Sequence, residues 1–396
     1  MGRTVLFVGA GRHQRRAIRR ARELGLRVAA VDRNPDAPGL ADCDEARVVD
    51  FSDMAAAVEA AREIGPDGVL TIAADRAVPV VAAVAEALGL PGIGAEAALA
   101  ATNKAVMRRR FADAGIPQPR FAVLPGDAGG VGFPAVVKPV DSAGQRGLFL
   151  VRDSAELEER LPAALAESRT GEAIVEQFHE GLEVNCLAVD RGGEVEIVTL
   201  SDRQRPDGIG FGVCLAHTYP SSLESAVRRE AERVARESVR AVGLRDSVAY
   251  PQLLVSDDGV RVVEIAARVP GGQMDEVARL GADVDLVAVA LRQALGDEIP
   301  DELVRPARAQ PLAIRFLTSS PGPLPEGVVT SVNGIDRARA APGVVEAQSV
   351  IAAGETIRPV QTDGDRRGFV IALGDSAAAA LERADAAAAL VEVKVA

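Results

Sequence analysis

Short apolar runs alternate with segments of helical periodicity in the N-terminal part of the chain, and this alternation constrains the fold most. The apolar runs cover residues 4–11, 26–32 and 67–73, and the helical segments cover 12–25, 52–65 and 77–89. Strands that alternate with helices pair as a parallel sheet, because each helix returns the chain to the same end of the sheet. The pattern therefore predicts an N-terminal α/β domain over residues 1–98.

A glycine pair in this region partly matches a dinucleotide-binding motif. Gly9 and Gly11 follow the first apolar run and Asp32 ends the second, but Gln14 stands where the third glycine of the motif is expected. An incomplete glycine motif is a weak signal. An NAD-linked oxidoreductase is therefore a minor alternative, and glycines that only turn the chain at the end of a strand are the favoured interpretation.

Length and charge exclude several classes of protein. At about 100–200 residues per domain, 396 residues predict two to four domains. The net charge of −12 argues against broad nucleic-acid binding, which needs a basic face. Three cysteines without a CxxC spacing predict neither a disulfide framework nor a zinc site, and favour a reducing, cytoplasmic compartment. No signal peptide or membrane-spanning segment is expected, because the apolar runs are short and interrupted.

The remainder of the chain predicts further helices and antiparallel strand pairs. Helices are expected at 101–119, 155–168, 222–242 and 376–390, and strands are expected around 132–151, 172–178, 183–200, 248–268 and in the C-terminal region after 306. Two of these regions read as hairpins that turn at Gly192-Gly193 and at Asp257 to Gly259.

Two lysines stand in positions suited to phosphate. Lys138 ends an apolar strand and opens a loop with Ser142, Gly144 and Gly147, in which glycines let backbone N–H groups approach phosphate oxygens. Lys104 lies in the first turn of a helix, where a cation opposes the helix dipole, and this misfit suggests that it faces an anion. The alternatives are a hairpin with an exposed lysine and a solvated lysine at a helix end.

Two further groups carry polar side chains suited to a nucleotide and a metal. Glu176-Gln177-Phe178 ends a strand whose backbone could read an adenine edge, and Glu183 follows as a candidate for ribose hydroxyls. Gln252 and Glu264 lie on the two strands of one predicted hairpin and face each other as oxygen ligands that suit Mg²⁺. The alternatives are a surface turn and a Glu264 that only pairs with Arg268, with which it shares a strand face.

Taken in order, these segments resemble the ATP-grasp superfamily over nearly the whole chain. Within it, the chain is most similar to carboxylate–amine ligases that include L-amino acid ligases. The landmarks are TNKAVMRRRFADAGIP around Lys104, FPAVVKPVDSAGQRG around Lys138, EQFHEGLEVN from Glu176, LAHTYPS around His217 and VVEIAARVPGG around Glu264. The segments LAIRFLTSSPGPL and APGVVEAQSV resemble the extra C-terminal subdomain of those ligases.

The resemblance implies an α/β (α+β) protein with the three-lobed ATP-grasp fold. It implies a Rossmann-like pre-ATP-grasp domain at 1–98, a linker helix at 99–118, a lid at 119–180, a large subdomain at 181–305 and a C-terminal β-rich subdomain at 306–396. ATP and Mg²⁺, or Mn²⁺ in its place, are the implied cofactors. Small-molecule carboxylates and amines are the implied substrates, and a homodimer is the implied assembly.

The resemblance also implies a role for each candidate residue. Lys104 and Lys138 contact phosphates, Ser142 and Gly144 belong to the loop that covers them, Glu176, Gln177 and Phe178 frame adenine, and Glu183 binds ribose. Gln252 and Glu264 hold Mg²⁺. Arg268 stabilises the acyl phosphate and the tetrahedral intermediate, and His217 borders the amino-acid pocket as a second catalytic candidate.

Two positions depart from the family pattern. Many members carry Asn at the position of Ala266 and Glu at the position of Gln252, so this chain offers one anionic metal ligand instead of two. The implied activity is amide-bond formation through an acyl phosphate. The alternatives are another ATP-grasp enzyme, such as a carboxylase or a purine-pathway ligase, and a nucleotide-binding protein with weakened catalysis.

Overall fold

The computed structural model describes residues 2–206 and 211–396, and the described strands form four sheets. Met1 of the predicted first domain and residues 207–210 of the predicted large subdomain lie outside the described residues. None of the described helices combines the length and the apolar character that crossing a membrane requires.

The N-terminal sheet is parallel, as the strand–helix alternation predicts. Its strands and helices are β1 (Thr4–Val8), α1 (Arg15–Glu23), β2 (Arg27–Asp32), β3 (Glu45–Val48), α2 (Met54–Ile64), β4 (Gly68–Leu70) and α3 (Val78–Leu88). The strand order is β3-β2-β1-β4 with parallel pairing throughout. The sequence pattern missed β3, because this edge strand is short and mostly exposed and has no apolar run.

Two helices, not one, connect this domain to the next lobe. They are α4 (Gly94–Thr102) and α5 (Lys104–Asp113). The predicted single helix at 101–119 is therefore wrong in its bounds. Asn103 separates the two, because its side chain accepts hydrogen bonds from the N–H groups of Ala105 and Val106 and caps α5.

The lid is a small antiparallel sheet with one helix. Its elements are β5 (Phe121–Leu124), β6 (Ala135–Pro139), β7 (Phe149–Val151), α6 (Ser154–Ala166) and β8 (Ala173–Gln177). The strand order is β5-β8-β6-β7, so β8 pairs with β6 in the centre of the sheet. The strand–loop–strand pattern predicted over 132–151 corresponds to β6, the glycine loop and β7.

The rest of the chain builds a large sheet, a small sheet and the helices that cover them. The elements are β9 (Leu182–Arg191), β10 (Glu194–Gln204), β11 (Ala216–Tyr219), α7 (Ser225–Ala241), β12 (Val248–Ser256), β13 (Gly259–Ala266), α8 (Met274–Glu276), α9 (Leu286–Ala294), β14 (Leu312–Phe316), β15 (Gly327–Asn333), α10 (Ile335–Arg339), β16 (Val344–Ser349), β17 (Thr356–Ile357), β18 (Gly368–Leu373), α11 (Ala377–Ala388) and β19 (Glu392–Val395). A π-helical turn spans Val277–Ala282.

The large sheet crosses the predicted boundary at residue 305. Its order is β13-β12-β9-β10-β11-β14-β18-β16, so three strands of the C-terminal region extend the sheet of the large subdomain. The small sheet, β17-β15-β19, lies entirely within the C-terminal region. Both predicted hairpins are present, as β9–β10 and β12–β13.

One hydrophobic core joins the N-terminal domain to the large subdomain. Phe7 and Ile18 of the first domain are fully buried in the same cluster as Val277 and Val289 of the large subdomain. Gly68 of β4 makes a particularly close approach, because a Cβ atom there would lie 2.5 Å from the carbonyl oxygen of Ala294 at the end of α9. The two lobes therefore pack without room for an added methyl group.

Gly68→Ala is expected to lower the free energy of unfolding by about 1–3 kcal/mol, because the methyl group forces β4 and α9 apart. Val48→Ala on the edge strand of the same sheet is the control, since Val48 is 61% exposed and the change is expected to stay within about 0.5 kcal/mol. Urea unfolding followed by circular dichroism measures both. Equal midpoints for Gly68→Ala and wild type would contradict this packing.

Candidate active site

All twelve candidate residues line one cavity of about 400 Å³. It lies between the lid, the start of α5, the β12–β13 hairpin and a turn of the C-terminal region. These residues come from segments far apart in the sequence, and the fold brings every one of them together: Lys104, Lys138, Ser142, Gly144, Glu176, Gln177, Phe178, Glu183, His217, Gln252, Glu264 and Arg268. Their individual roles stay predictions.

Lys138 is buried beside Glu176, so the alternative of an exposed hairpin lysine does not hold. The Nζ atom of Lys138 lies 2.7 Å from Oε2 of Glu176, and Nε of Arg108 donates to Oε1 of Glu176 at 2.8 Å. Burial opposes ionisation of Glu176, but the charges of Arg108 and Lys138 outweigh it and lower the pKa of Glu176 to about 2. Burial also lowers the pKa of Lys138, against the opposing charge of Glu176.

Arg108 extends this cluster to the large subdomain. Its guanidinium donates to the carbonyl oxygens of Val262 at 3.1 Å and Val263 at 2.6 Å, next to Glu264 in β13. Both carboxylate oxygens of Glu176 are thus held by cations. The carboxylate of Glu176 therefore fixes Lys138 and Arg108 in this structure.

Lys104 connects three parts of the cavity wall. Its Nζ donates to the carbonyl oxygen of Ser142 at 2.7 Å and lies 3.2 Å from Oε1 of Glu264. The unfavourable position of a cation at a helix N-terminus is offset by this carboxylate and carbonyl. Ser142 is buried, and among the described residues its Oγ has no hydrogen-bond partner, so this hydroxyl is available inside the cavity.

The strand end at β8 places two side chains at the cavity mouth. Gln177 accepts a hydrogen bond from Nε of Arg120 at 2.9 Å through its side-chain oxygen. The ring of Phe178 meets that of Phe211 edge-on with 5.7 Å between centroids. The N–H of Phe178 donates to the carbonyl oxygen of Pro134, so its ring is what it contributes to the cavity.

Glu183 is held by two arginines that the sequence reasoning did not single out. Arg203 donates to Oε2 of Glu183, and Nε of Arg205 lies 2.9 Å from Oε1. The guanidinium of Arg205 also stacks over Phe211 at 4.7 Å. The guanidinium groups of Arg203 and Arg205 therefore form one end of the cavity.

Gln252 and Glu264 stand directly opposite each other on β12 and β13, as predicted, and a register shift between Gln252 and Leu253 brings them into this position. A carboxylate oxygen and an amide oxygen side by side suit one Mg²⁺ ion that keeps phosphate or water as its other ligands. Ala266 adds no donor, and the described residues contain no group of three or more His, Cys, Asp or Glu that could hold a metal. The donor set fits one ion held by few protein ligands.

Arg268 lies just past the end of β13, which stops at Ala266, so the predicted strand is two residues too long. Its Nη2 donates to Oδ2 of Asp75 at 2.8 Å, and the pairing with Glu264 considered as an alternative is replaced by the Lys104–Glu264 pair. Among the described residues, Nε and Nη1 of Arg268 are buried without a hydrogen-bond partner. Two guanidinium nitrogens, with three N–H groups between them, are therefore left for a ligand.

His217 is buried on β11 with a polar neighbour on each ring nitrogen. Asn185 Nδ2 lies 3.0 Å from Nδ1, and Cys214 Sγ lies 3.2 Å from Nε2. Burial, followed by the charges of Arg203 and Arg366, lowers the pKa of His217 well below its ordinary value. The imidazole is therefore neutral at physiological pH.

The N-terminal glycines do not form a dinucleotide site. The amide of Gln14 donates to the carbonyl oxygen of Ile72 and packs beside Gly9 and Gly11, where the cofactor's phosphates would have to approach. Asp32 accepts from the N–H of Ala10 at 2.8 Å, so its carboxylate braces the loop. The NAD alternative is therefore disfavoured.

Several cavity residues escaped the sequence reasoning. Arg108 carried a readable signal, since it lies four residues after Lys104 on the same helical face. No sequence signal pointed to three other residues, because they reach the cavity from distant turns: Asp75, Asp363 and Arg366.

Three family models match successive parts of the chain. Residues 18–92 match the ATP-grasp N-terminal domain, residues 126–302 match the ATP binding domain of the carbamoyl-phosphate synthase L chain, and residues 322–396 match the L-amino acid ligase C-terminal domain 2. Together they follow the order of lobes seen in the structure.

Whole-protein comparisons agree with these models. An uncharacterized protein of Sinorhizobium fredii is 28% identical over 78% of this chain and 65% of its own length. The formate-dependent phosphoribosylglycinamide formyltransferase of Burkholderia lata is 31% identical over 67% of this chain and 68% of that protein. The fold is similar to the crystal structure of L-amino acid ligase from Bacillus licheniformis, with a TM-score of 0.86, 20% identity and 100% and 99% of the two chains covered. The chain belongs to the ATP-grasp family of ligases.

Proposed function

We propose that the protein is an ATP-dependent carboxylate–amine ligase that forms an amide bond through an acyl phosphate, on amino acids or small peptides. The observation that carries the proposal is Arg268, which lines the same cavity as Lys104, Lys138 and Glu264 and whose Nε and Nη1 have no hydrogen-bond partner among the described residues. The match of residues 322–396 to an L-amino acid ligase domain supports the choice of substrates.

The lysines and the glycine loop would bind the triphosphate of ATP. Lys104 and Lys138 supply positive charge in one cavity, and the hydroxyl of Ser142, which has no partner among the described residues, can donate to a phosphate oxygen. Gly144 has a positive φ of 69°, which lets the loop turn its backbone toward the cavity. We propose that the lid, 119–180, closes over the phosphates and excludes water from the acyl phosphate.

The nucleoside would lie at the end of β8. Gln177 and Phe178 frame the adenine, and Glu183 binds the ribose after exchanging part of its contact with Arg203 and Arg205. Glu176 acts through Lys138, because both of its oxygens are already held by cations.

Gln252 and Glu264 would hold one Mg²⁺ ion. Such an ion would supply positive charge that neutralises the charge developing on the phosphoryl group during transfer. Lys104, at 3.2 Å from Glu264, keeps this carboxylate oriented toward the phosphates. Ala266 limits the protein to this single pair of ligands.

The reaction then has two steps at one position. A substrate carboxylate oxygen attacks the γ-phosphorus of ATP and ADP leaves, while Lys104 and Lys138 stabilise the transferred charge. An amine nitrogen next attacks the carbonyl carbon of the acyl phosphate, and phosphate leaves. Arg268 donates its free N–H groups to the oxygens that become more negative in both steps.

A second candidate function has a specific observation behind it. The Burkholderia lata relative is named as a formate-dependent formyltransferase, which favours formate as the carboxylate and a phosphoribosyl amine as the acceptor. The homodimer and the cytoplasmic location stay predictions from the sequence. A third candidate is a protein that binds nucleotide but catalyses weakly, because Ala266 stands where many family members carry a metal-binding Asn.

A hydroxylamine assay is expected to separate these functions. With ATP and Mg²⁺, we expect ADP and a hydroxamate from one or more amino acids, because hydroxylamine intercepts an acyl phosphate. Hydroxamate from formate only would favour the formyl-transfer candidate, and ADP release with bicarbonate only would contradict the amino-acid proposal. ATP binding without any turnover would indicate weakened catalysis.

Glu264→Gln is expected to lower kcat about 100-fold or more, whereas Gln252→Glu is expected to stay within about 10-fold of wild type, because only the first change removes the carboxylate ligand. The first change also leaves Lys104 without its carboxylate partner. Glu96→Gln, whose side chain is 90% exposed, is the control. Near-normal turnover by Glu264→Gln would show that the metal assignment is wrong.

His217 is expected to remain neutral as the pH falls from 7.5 to about 5.5, where an ordinary histidine becomes charged. Proton–nitrogen NMR of the three histidines, assigned by His217→Gln and His179→Gln, measures this. The pKa of partly buried His179 is also lowered, but the signal of His217 should titrate at the lower pH of the two. A His217 signal that titrates near 6.5 would contradict the buried, neutral imidazole.

A further inference from the structure

A turn of the C-terminal region forms part of the cavity wall. The turn Asp363–Asp365 is fixed by Thr362, whose N–H donates to Oδ2 of Asp365 at 2.8 Å. The N–H of Asp363 donates to the carbonyl oxygen of Gly144 at 3.3 Å. The C-terminal region therefore contacts the same glycine loop that is proposed to cover the phosphates.

A second cavity of about 980 Å³ opens at this turn. It lies between α1, the segment around the π-helical turn and the strands β16 and β18. The two cavities share seven lining residues: His13, Pro270, Gly271, Gly272, Asp363, Gly364 and Arg366. The second cavity therefore adjoins the first at this turn.

Asp363 is the least neutralised carboxylate of the first cavity. Five described carboxylates line it, and their distances to a cationic nitrogen are 2.8 Å for Asp75, 2.7 Å for Glu176, 2.9 Å from Glu183 to Arg205, 3.2 Å for Glu264 and 3.5 Å for Asp363. Glu183 is also paired with Arg203. Oδ1 of Asp363 is enclosed and, among the described residues, accepts no hydrogen bond. It is an acceptor that lacks a donor at the junction of the two cavities.

One cationic group lies beside this carboxylate, and another lines the second cavity. Arg366 sits over the ring of Phe316 at 4.3 Å and donates Nε to the carbonyl oxygen of Asp363, while its Nη1 is 3.5 Å from Oδ1. Arg12 is exposed on the wall of the second cavity. Arg16 also lines this cavity, where it pairs with Glu276 at 2.8 Å and with Glu346 at 2.7 Å.

We propose that Asp363 binds the ammonium group of the acceptor amine, and that Arg366 and Arg12 bind an anionic group of the same molecule. The acceptor is then a zwitterion such as an α-amino acid or a short peptide, and the second cavity holds the rest of it. This inference rests on the proposed function and adds to it the residue and the charge class that define the acceptor.

The proton balance of the amide-forming step supports this assignment. An ammonium group has three protons and the amide nitrogen keeps one, so two must leave. Asp363 accepts the first, which frees the lone pair that attacks the carbonyl carbon of the acyl phosphate. As the C–N bond forms and the C–O bond to phosphate breaks, the second proton passes to the leaving phosphate.

The test compares two nucleophiles on one donor, chosen as the carboxylate that gives most hydroxamate. Hydroxylamine has no carboxylate, whereas L-alanine is a zwitterion. The ratio of alanine-dependent to hydroxylamine-dependent ADP release is expected to fall about 10-fold or more in Asp363→Asn, because a hydrogen bond to a charged group is lost. The control is Asp375→Asn, whose side chain is 96% exposed, and it should leave the ratio unchanged.

A second comparison tests the anionic half of the acceptor. L-Alaninamide keeps the ammonium group but lacks the carboxylate, so wild type should show a KM at least about 10-fold higher for it than for L-alanine. Arg12→Gln should reduce this preference. Asp363→Glu should recover part of the ratio of alanine-dependent to hydroxylamine-dependent ADP release that Asp363→Asn loses. If thermal melting shows that Asp363→Asn does not fold, Asp363→Glu is measured in its place.

An unchanged ratio in Asp363→Asn and Asp363→Glu would overturn the role of Asp363, while hydroxamate formation would still uphold the proposed function. Equal KM values of wild type for alaninamide and alanine would overturn the proposal that Arg366 and Arg12 bind an anionic group of the acceptor. If no carboxylate gives hydroxamate, the proposed function fails and this inference falls with it.

Discussion

The buried contact of Glu176 with Lys138 and Arg108 is the interaction on which the rest of the site depends. All three side chains lie in the interior, where a charge is stable only when it is paired and hydrogen-bonded. The cluster joins the lid strands β6 and β8 to the helix α5, and Arg108 continues to the backbone of β13. One carboxylate thereby sets the position of the lid relative to the strand that carries Glu264.

Much of the fold could be predicted from the sequence because it follows from local periodicity. The parallel N-terminal sheet and the two hairpins with glycine turns are of this kind. The opposition of Gln252 and Glu264 was also predicted, but it depends on a register shift between Gln252 and Leu253 that the sequence pattern did not show. The break at Asn103 was missed, because a capping side chain interrupts a pattern that is otherwise helical on both sides.

The part of the site that the sequence did not predict depends on contacts between distant segments. Arg108 reaches Glu176 and β13 across 68 and 154 positions of the chain, and the Asp363 turn reaches Gly144 from the C-terminal region. A pattern among neighbouring residues does not predict contacts between segments that lie so far apart in the sequence. Residue patterns and the resemblance to a family together supplied the twelve candidates. The structure added the groups that hold them and Asp363 at the junction, whose nearest cation is 3.5 Å away.

The large sheet has a consequence for how such proteins can diversify. His217 lies on β11, and β11 pairs directly with β14 of the C-terminal region, so that His217 stands opposite Ile314. Removing the chain after residue 305 would leave β11 as an unprotected edge, with backbone groups open to pairing with other molecules. The C-terminal segment therefore cannot be exchanged without affecting the large sheet. A recombinant exchange of that segment would alter the support of His217 together with the part of the cavity wall that Asp363 and Arg366 form.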